Sequence, residues 1–268
     1  MSAINTNLNS LTAQRSLAST ASSLSTSMAR LSSGLRVNSA KDDAAGLAIA
    51  ERMNTQTRGM NVAIRNSNDA ISLAQTAEGA LGVISANLQR MRELAVQGAN
   101  GTNNSSDIEA LDSEFKLLAA ENTRVAASTK FNGQNVIATT TFDFQVGADA
   151  VAANDQISVT ATSYAGTSST LGTANSTALA QISALDADIK TVSTARSTWG
   201  ATQNRFDAVI SNLRVGAENS AAARGRIMDA DYAQETASLS RAQVLQQAGT
   251  AMVAQANQAP QSVLSLLR

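Results

Sequence analysis

The chain has 268 residues, a formal net charge of −1, 3% aromatic and 15% charged residues, and neither cysteine nor histidine. That excludes disulfides, thiolate metal sites, histidine-based triads and most zinc sites. The even charge, without a basic block, argues against nucleic acid as a partner, and no apolar run is long enough to insert in a membrane.

Alanine, serine, threonine, asparagine and glutamine take the place of large side chains. Small residues let helices approach closely, so thin bundles are favoured over a thick globule. Met1-Ser2-Ala3-Ile4-Asn5 has neither a charged start nor an apolar run, so no secretory leader is expected. On composition alone the protein is cytosolic or leaves the cell by an unusual route.

In chain order, the first apolar seam is Leu17, Ala21, Leu24, Met28, Leu31 and Leu35, a heptad pattern predicting an amphipathic helix. Ile4, Leu8 and Leu11 extend its apolar face in a shifted frame. Serines and threonines fill the other faces, so the helix is weak in isolation. Ser32-Ser33-Gly34 and Val37-Asn38-Ser39-Ala40 predict a break. Asp42 and Asp43 then read as capping groups for the next helix.

From Gly46 to about Gln97 one seam runs unbroken from Met60 through Ala63, Ser67, Ala70, Ala74, Ala77, Leu81, Ile84, Leu88 and Met91 to Ala95. It predicts a rod of roughly 75 Å, which needs helical partners along its length. Gly98 to Ser106 ends the rod, and Asp107 is predicted to cap a second helix with the seam Ile108, Leu111, Phe115, Leu118, Asn122 and Val125. The short loop makes this helix antiparallel to the rod.

Phe131-Asn132-Gly133-Gln134 signals a turn. Alternation at Phe142, Phe144, Val146 and then Ile157, Val159, Ala161 predicts a β-hairpin over about residues 139–161. Tyr164 to Thr177 reads as a polar loop. A third long seam runs from Ile182 and Leu185 to Leu213 and Ala217, interrupted by Arg196 and Gln203, which either fix register or reach to solvent. A second break is expected over Ala221 to Ile227, around Gly225. The final helix runs from Tyr232 to about Asn257, with Leu245, Ala248, Met252 and Ala256 on one face. Pro260 sits near its end, and Leu264, Leu266 and Leu267 form an apolar tail.

The expected fold is therefore mainly α: a long, antiparallel, coiled-coil-like helical bundle with a small β-hairpin region and paired N- and C-terminal helices. The two ends carry apolar stripes with only each other to cover them, which argues for partner chains. Acidic pairs such as Asp186/Asp188 and Asp229/Asp231 are spaced i, i+2 and do not share a helix face. No catalytic, metal or cofactor site is expected.

Several motifs resemble bacterial flagellin. They are Ile4-Asn5-Thr6-Asn7, Gln14-Arg15-Ser16-Leu17, the run from Leu31-Ser32-Ser33-Gly34-Leu35-Arg36 to Asn38 through Leu47, and the C-terminal run from Ala242-Gln243 to Leu264. The resemblance covers roughly residues 1–138 and 178–268. It implies a structural subunit of the flagellar filament, located outside the cell, with no enzymatic activity. It implies an inner terminal-helix domain, residues 1–45 with 225–268, and a rod domain, residues 46–224. With only about 40 residues between Ala138 and Ala178, the outer variable domains of longer relatives are expected to be absent.

The family resemblance further implies a homopolymer held by the terminal helices. Leu17, Leu24, Met28, Leu31 and Leu35 would contribute from one end and Leu245, Ala248, Met252 and Ala256 from the other. It implies type III export, an export chaperone on the C-terminal helix, and contact with flagellar cap and hook-associated proteins. The segment Leu88 to Gln97 resembles the part of flagellin read by a host Toll-like receptor. Arg90, Leu94 and Glu114 match contact positions, with Gln89, Glu93 and Gln97 beside them. On the seam count, Arg90, Glu93, Leu94 and Gln97 project away from the internal stripe. Competing readings are a hook–filament junction protein and, more distantly, a cytoplasmic signalling coiled coil.

Overall fold

A computed structural model describes residues 6–166 and 168–265, with side chains described as far as residue 258. Ile4, Leu266, Leu267 and the Leu264 side chain lie outside the described residues. The elements are α1 (Leu8–Ser33), α2 (Ala44–Gly98), α3 (Ser105–Ser128), β1 (Lys130–Phe131), β2 (Gln134–Asn135), β3 (Thr141–Gln145), α4 (Ala152–Asp155), β4 (Gln156–Thr160), α5 (Asn175–Met228) and α6 (Tyr232–Ser265). The mainly helical fold with a small antiparallel strand pair is the one the sequence predicts. Two compact units result: Met1–Thr55 with Asn219–Arg268, and Gln56–Glu218.

In the unit Gln56–Glu218, the α2 seam is buried from Ala63 to Ala95, as its spacing predicts. Leu73 and Leu94 are buried too, so the stripe is wider than a two-helix seam. The reason is that more than one helix packs on it. Asn87 bonds Asn122 on α3, while Arg92 meets Asp186 and Gly98 approaches Ala178 on α5. These pairings make both α3 and α5 antiparallel to α2.

The two polar interruptions on α5 converge on one α2 carboxylate. Gln203 Nε2 donates to Glu78 Oε2 at 3.0 Å, and Arg196 Nη2 lies 3.9 Å from Glu78 Oε1. At the start of α3 the cap is Asn104 rather than the expected Asp107. Asn104 Oδ1 accepts the Asp107 amide at 2.9 Å, and the Asp107 carboxylate accepts the Asn104 amide at 3.0 Å. Asp107 is thus the return half of a capping box.

β1 and β2 pair across Asn132 and Gly133, whose φ angles of 49° and 82° fit the left-handed turn that Asn-Gly favours. β3 and β4 form the longer hairpin, with Phe142 opposite Val159 and Phe144 opposite Ile157. Phe144 meets Phe206 of α5 edge-on at 5.5 Å, which seats the hairpin on the helices. The one-turn α4 was not expected within the hairpin connection.

The stretch before α5 is irregular, as predicted, yet it is not a solvated loop. Leu171 is buried, and its amide and that of Gly172 donate to Asp112. Burial, then the neighbouring Asp188, push the Tyr164 phenol up to about 12, against an opposing hydrogen bond with Asn122.

In the other unit, α1 ends at Gly34, whose φ of 71° only glycine adopts freely. Leu35 pairs with Asp229 in a β-bridge, and Val37, Ala50 and Met228 form a small core there. α5 continues through the break expected over Ala221 to Ile227. A single Gly225 weakens a helix by about 1 kcal/mol, which the surrounding alanines and arginines offset. The break lies instead at Asp229–Asp231, where Asp231 Oδ1 accepts the Ala233 and Gln234 amides and starts α6. α6 also runs on past Pro260.

Candidate functional site

The terminal helices α1 and α6 pair antiparallel, with Asn7 bonded to Ala256, a Cβ at Gly249 set against Leu17, and Arg30 near Glu235. The α1 contact row is Ser10, Ala13, Leu17, Thr20, Leu24, Ser27 and Leu31, each buried or half-buried. It shares Leu17, Leu24 and Leu31 with the predicted seam. At the alternate positions, however, it uses Thr20 and Ser27 rather than Ala21 and Met28. Small hydroxyl residues allow closer approach than Met28 would. Met28 is left 57% exposed, while Leu35 is half-buried beside the small core at the chain break.

The same displacement holds on α6. Its contact row runs through Glu235, Ala242, Gln246, Gly249, Val253 and Ala256. Of the expected face, Ala256 is half-buried, Ala248 is exposed, and Leu245 and Met252 are 51% and 63% exposed. These four residues line an open groove of about 650 Å³ whose other wall includes Ala13, Leu17 and Thr20. Leu8 and Leu11, expected to extend the apolar face of α1, and Val244, which lies off the expected α6 face, add further exposed apolar surface. The signal for this row is the strict alternation of 3 and 4 when Ser10, Ala13, Thr20 and Ser27 are counted with Leu17, Leu24 and Leu31, which a search for large apolar positions alone does not register.

The second surface lies on α2 and α3. Arg90 Nε donates to Glu114 Oε1 at 2.9 Å and Arg90 Nη1 to Glu93 Oε2 at 3.0 Å. Hydrogen bonds to Glu114, then Glu93, raise the guanidinium above its ordinary range. Gln89, Glu93 and Gln97 are exposed and, with Arg92 and Val96, border a shallow hollow. Leu94 departs from the expectation that it projects outward. It is 0% exposed, because α2 is covered on two sides rather than along one stripe.

Among the described residues no group of acidic side chains could hold a metal ion, and no helix is long and apolar enough to cross a membrane.

Known proteins are similar to this chain in sequence and fold. Residues 4–141 match the bacterial flagellin N-terminal helical region, and residues 182–267 match the bacterial flagellin C-terminal helical region. A flagellin of Halalkalibacterium halodurans is 45% identical over 271 residues, covering 99% of each chain. The flagellar filament 33 kDa core protein of Treponema phagedenis is 40% identical over 285 residues, again covering 99% of each. The crystal structure of Bacillus cereus flagellin superposes with a TM-score of 0.51 at 37% identity, covering 60% of this chain and 94% of that one. Like these relatives, the protein is an extracellular component of the flagellum, in a short form without outer variable domains. The chain belongs to the bacterial flagellin family, the structural subunits of the flagellar filament.

Proposed function

We propose that this flagellin polymerises with copies of itself through the apolar faces that α1 and α6 leave uncovered. The observation that carries the reading is the exposure of Leu8, Leu11 and Met28 on α1 together with Val244, Leu245 and Met252 on α6. Burying apolar surface contributes about 25 cal/mol per Å², and a face of this length recurs in every subunit. On this reading residues 1–45 and 225–268 form the inner, assembling domain and residues 46–224 the outer rod. The weakly helical, cysteine-free ends suit export as an unfolded chain through the type III apparatus. α6 is then the segment held by the export chaperone, and cap and hook-associated proteins meet the filament's ends. Deleting residues 1–40 or 230–268 should leave a helical rod that forms no filaments; filaments from either deletion would refute the assignment.

A second reading concerns the Arg90 surface. The exposed Arg90–Glu114–Glu93 cluster, flanked by Gln89 and Gln97, supports recognition of the free monomer by a host Toll-like receptor. Buried Leu94 would act there by supporting the surface from beneath. Arg90→Ala should weaken receptor activation by a folded monomer, and an unchanged dose response would remove this reading.

A further inference from the structure

The connection between β4 and α5 has neither a strand ladder nor a helical seam to set its position. Its placement on the rod rests on individual side chains. Those that hold it fall at two points, Tyr164 and Leu171–Gly172.

At the first point Tyr164 is half-buried, hydrogen-bonded to Asn122 of α3 and set beside Asp188 of α5. Asn122 is fully buried, and its Oδ1 accepts from Asn87 of α2 at 2.8 Å, so the tyrosine meets a partner that is already fixed. A Cβ at Gly166 would stand 2.7 Å from the Tyr164 hydroxyl oxygen; the bare glycine leaves room for the ring to fold back along the chain. At the second point Asp112 of α3 accepts the Leu171 amide at 2.7 Å, and the Leu171 side chain lies against Gly98 beside Ala178 of α5. Gly172, at a φ of 89°, turns the chain toward α5. Asn175 Nδ2 then donates to the Gly98 and Asn100 carbonyls at 3.0 and 2.6 Å. Ser168, between the two points, is buried as well.

The partners are spaced alike on the two helices. Asp112 and Asn122 stand ten positions apart on α3, and Ala178 and Asp188 ten positions apart on α5. That is a rise of roughly 15 Å on each. Both helices are antiparallel to α2 and therefore parallel to each other, so the two pairs form matched rungs. Seven residues of extended chain reach roughly 23–25 Å, so the stretch from Tyr164 to Leu171 spans the rungs with slack. Slack means that neither end alone fixes the stretch. Once one end is seated, the other is confined near its site at high effective concentration.

We propose that Tyr164 and Leu171 are the two ends of a clasp that ties α3 to α5, each end keeping the other in place. The clasp lies within the unit Gln56–Glu218 and depends on neither the polymer reading nor the receptor reading.

Hydrogen exchange of the full-length monomer, read amide by amide, tests the clasp. Tyr164→Ala should speed exchange of the Leu171 and Gly172 amides about ten-fold, although the substitution is seven residues away. Tyr164→Phe keeps the ring and loses only the bond to Asn122; it should speed the same amides about five-fold, the worth of one neutral hydrogen bond. In both variants exchange should also rise on α3 from Phe115 to Asn122, while Ala70 to Leu81 on α2 stays unchanged. Unmoved exchange at Leu171 and Gly172 would make the two points independent contacts. A rise there without one on α3 would mean that nothing is tied, and an equal rise along α2 would mean a general loss of stability. Any of these three results would overturn the clasp.

Discussion

The Asp112 carboxylate on α3 accepts the backbone amide of Leu171 at 2.7 Å, fixing an irregular segment from about sixty positions downstream against the helices. Gly172 and Lys116 donate to the same carboxyl. Leu171 itself fills the space that Gly98 leaves between α2 and Ala178. Asp112→Ala would leave a buried amide without its acceptor and should destabilise the unit by about 1–3 kcal/mol. Hydrogen exchange should rise first at Leu171 and Gly172.

The same carboxyl gives a pH dependence of defined sign. Burial raises its pKa, but the bonds from Lys116, Leu171 and Gly172 outweigh burial and hold it below the ordinary 3.8. Because the folded value is the lower one, its contribution is complete above the ordinary value and is lost as pH falls through the folded value. Protection at Leu171 should therefore be flat from neutral pH down to the ordinary carboxylate range and fall below it. Asp112→Asn should abolish that acid step.

Arg90 and Leu94 are neighbours in sequence with opposite environments. Leu94→Ala should cost about 2–5 kcal/mol, as for a leucine removed from a packed core. Arg90→Ala, at an exposed ion pair, should scarcely change the urea midpoint. Equal stability losses in the two variants would contradict the burial seen for Leu94.

Glu78 gathers both polar residues of the α5 stripe. A polar group on a seam specifies alignment at some expense of stability. Gln203→Leu should leave the thermal midpoint unchanged or raise it. A clear fall would make the Glu78–Gln203 bond a net source of stability.

Much of the architecture was legible in the sequence because helical periodicity is a local signal. The α2 seam from Ala63 to Ala95 and the hairpin alternation at Phe142 and Phe144 were readable residue by residue. What escaped depended on distant partners. Leu94 is covered because both α3 and α5 pack on α2, and single-helix periodicity carries no count of partners. Met28 and Met252 are exposed because the α1–α6 contact alternates leucines with Thr20 and Ser27 on α1 and runs through Gly249 and Val253 on α6, leaving both methionines off the contact row. Gly225 does not break α5, since one weak residue yields to a long run of good helix formers. Asp107 lost the cap to Asn104 because both are good capping types three residues apart, and the loop geometry decides between them.

The central claim is that the faces of α1 and α6 drive assembly, and electron microscopy of the purified full-length chain, with and without short filament seeds, tests it most directly. Long uniform filaments growing from seeds, at a rate rising with monomer concentration, are the predicted result. Persistent monomer with intact helices would contradict it and favour a hook–filament junction role instead.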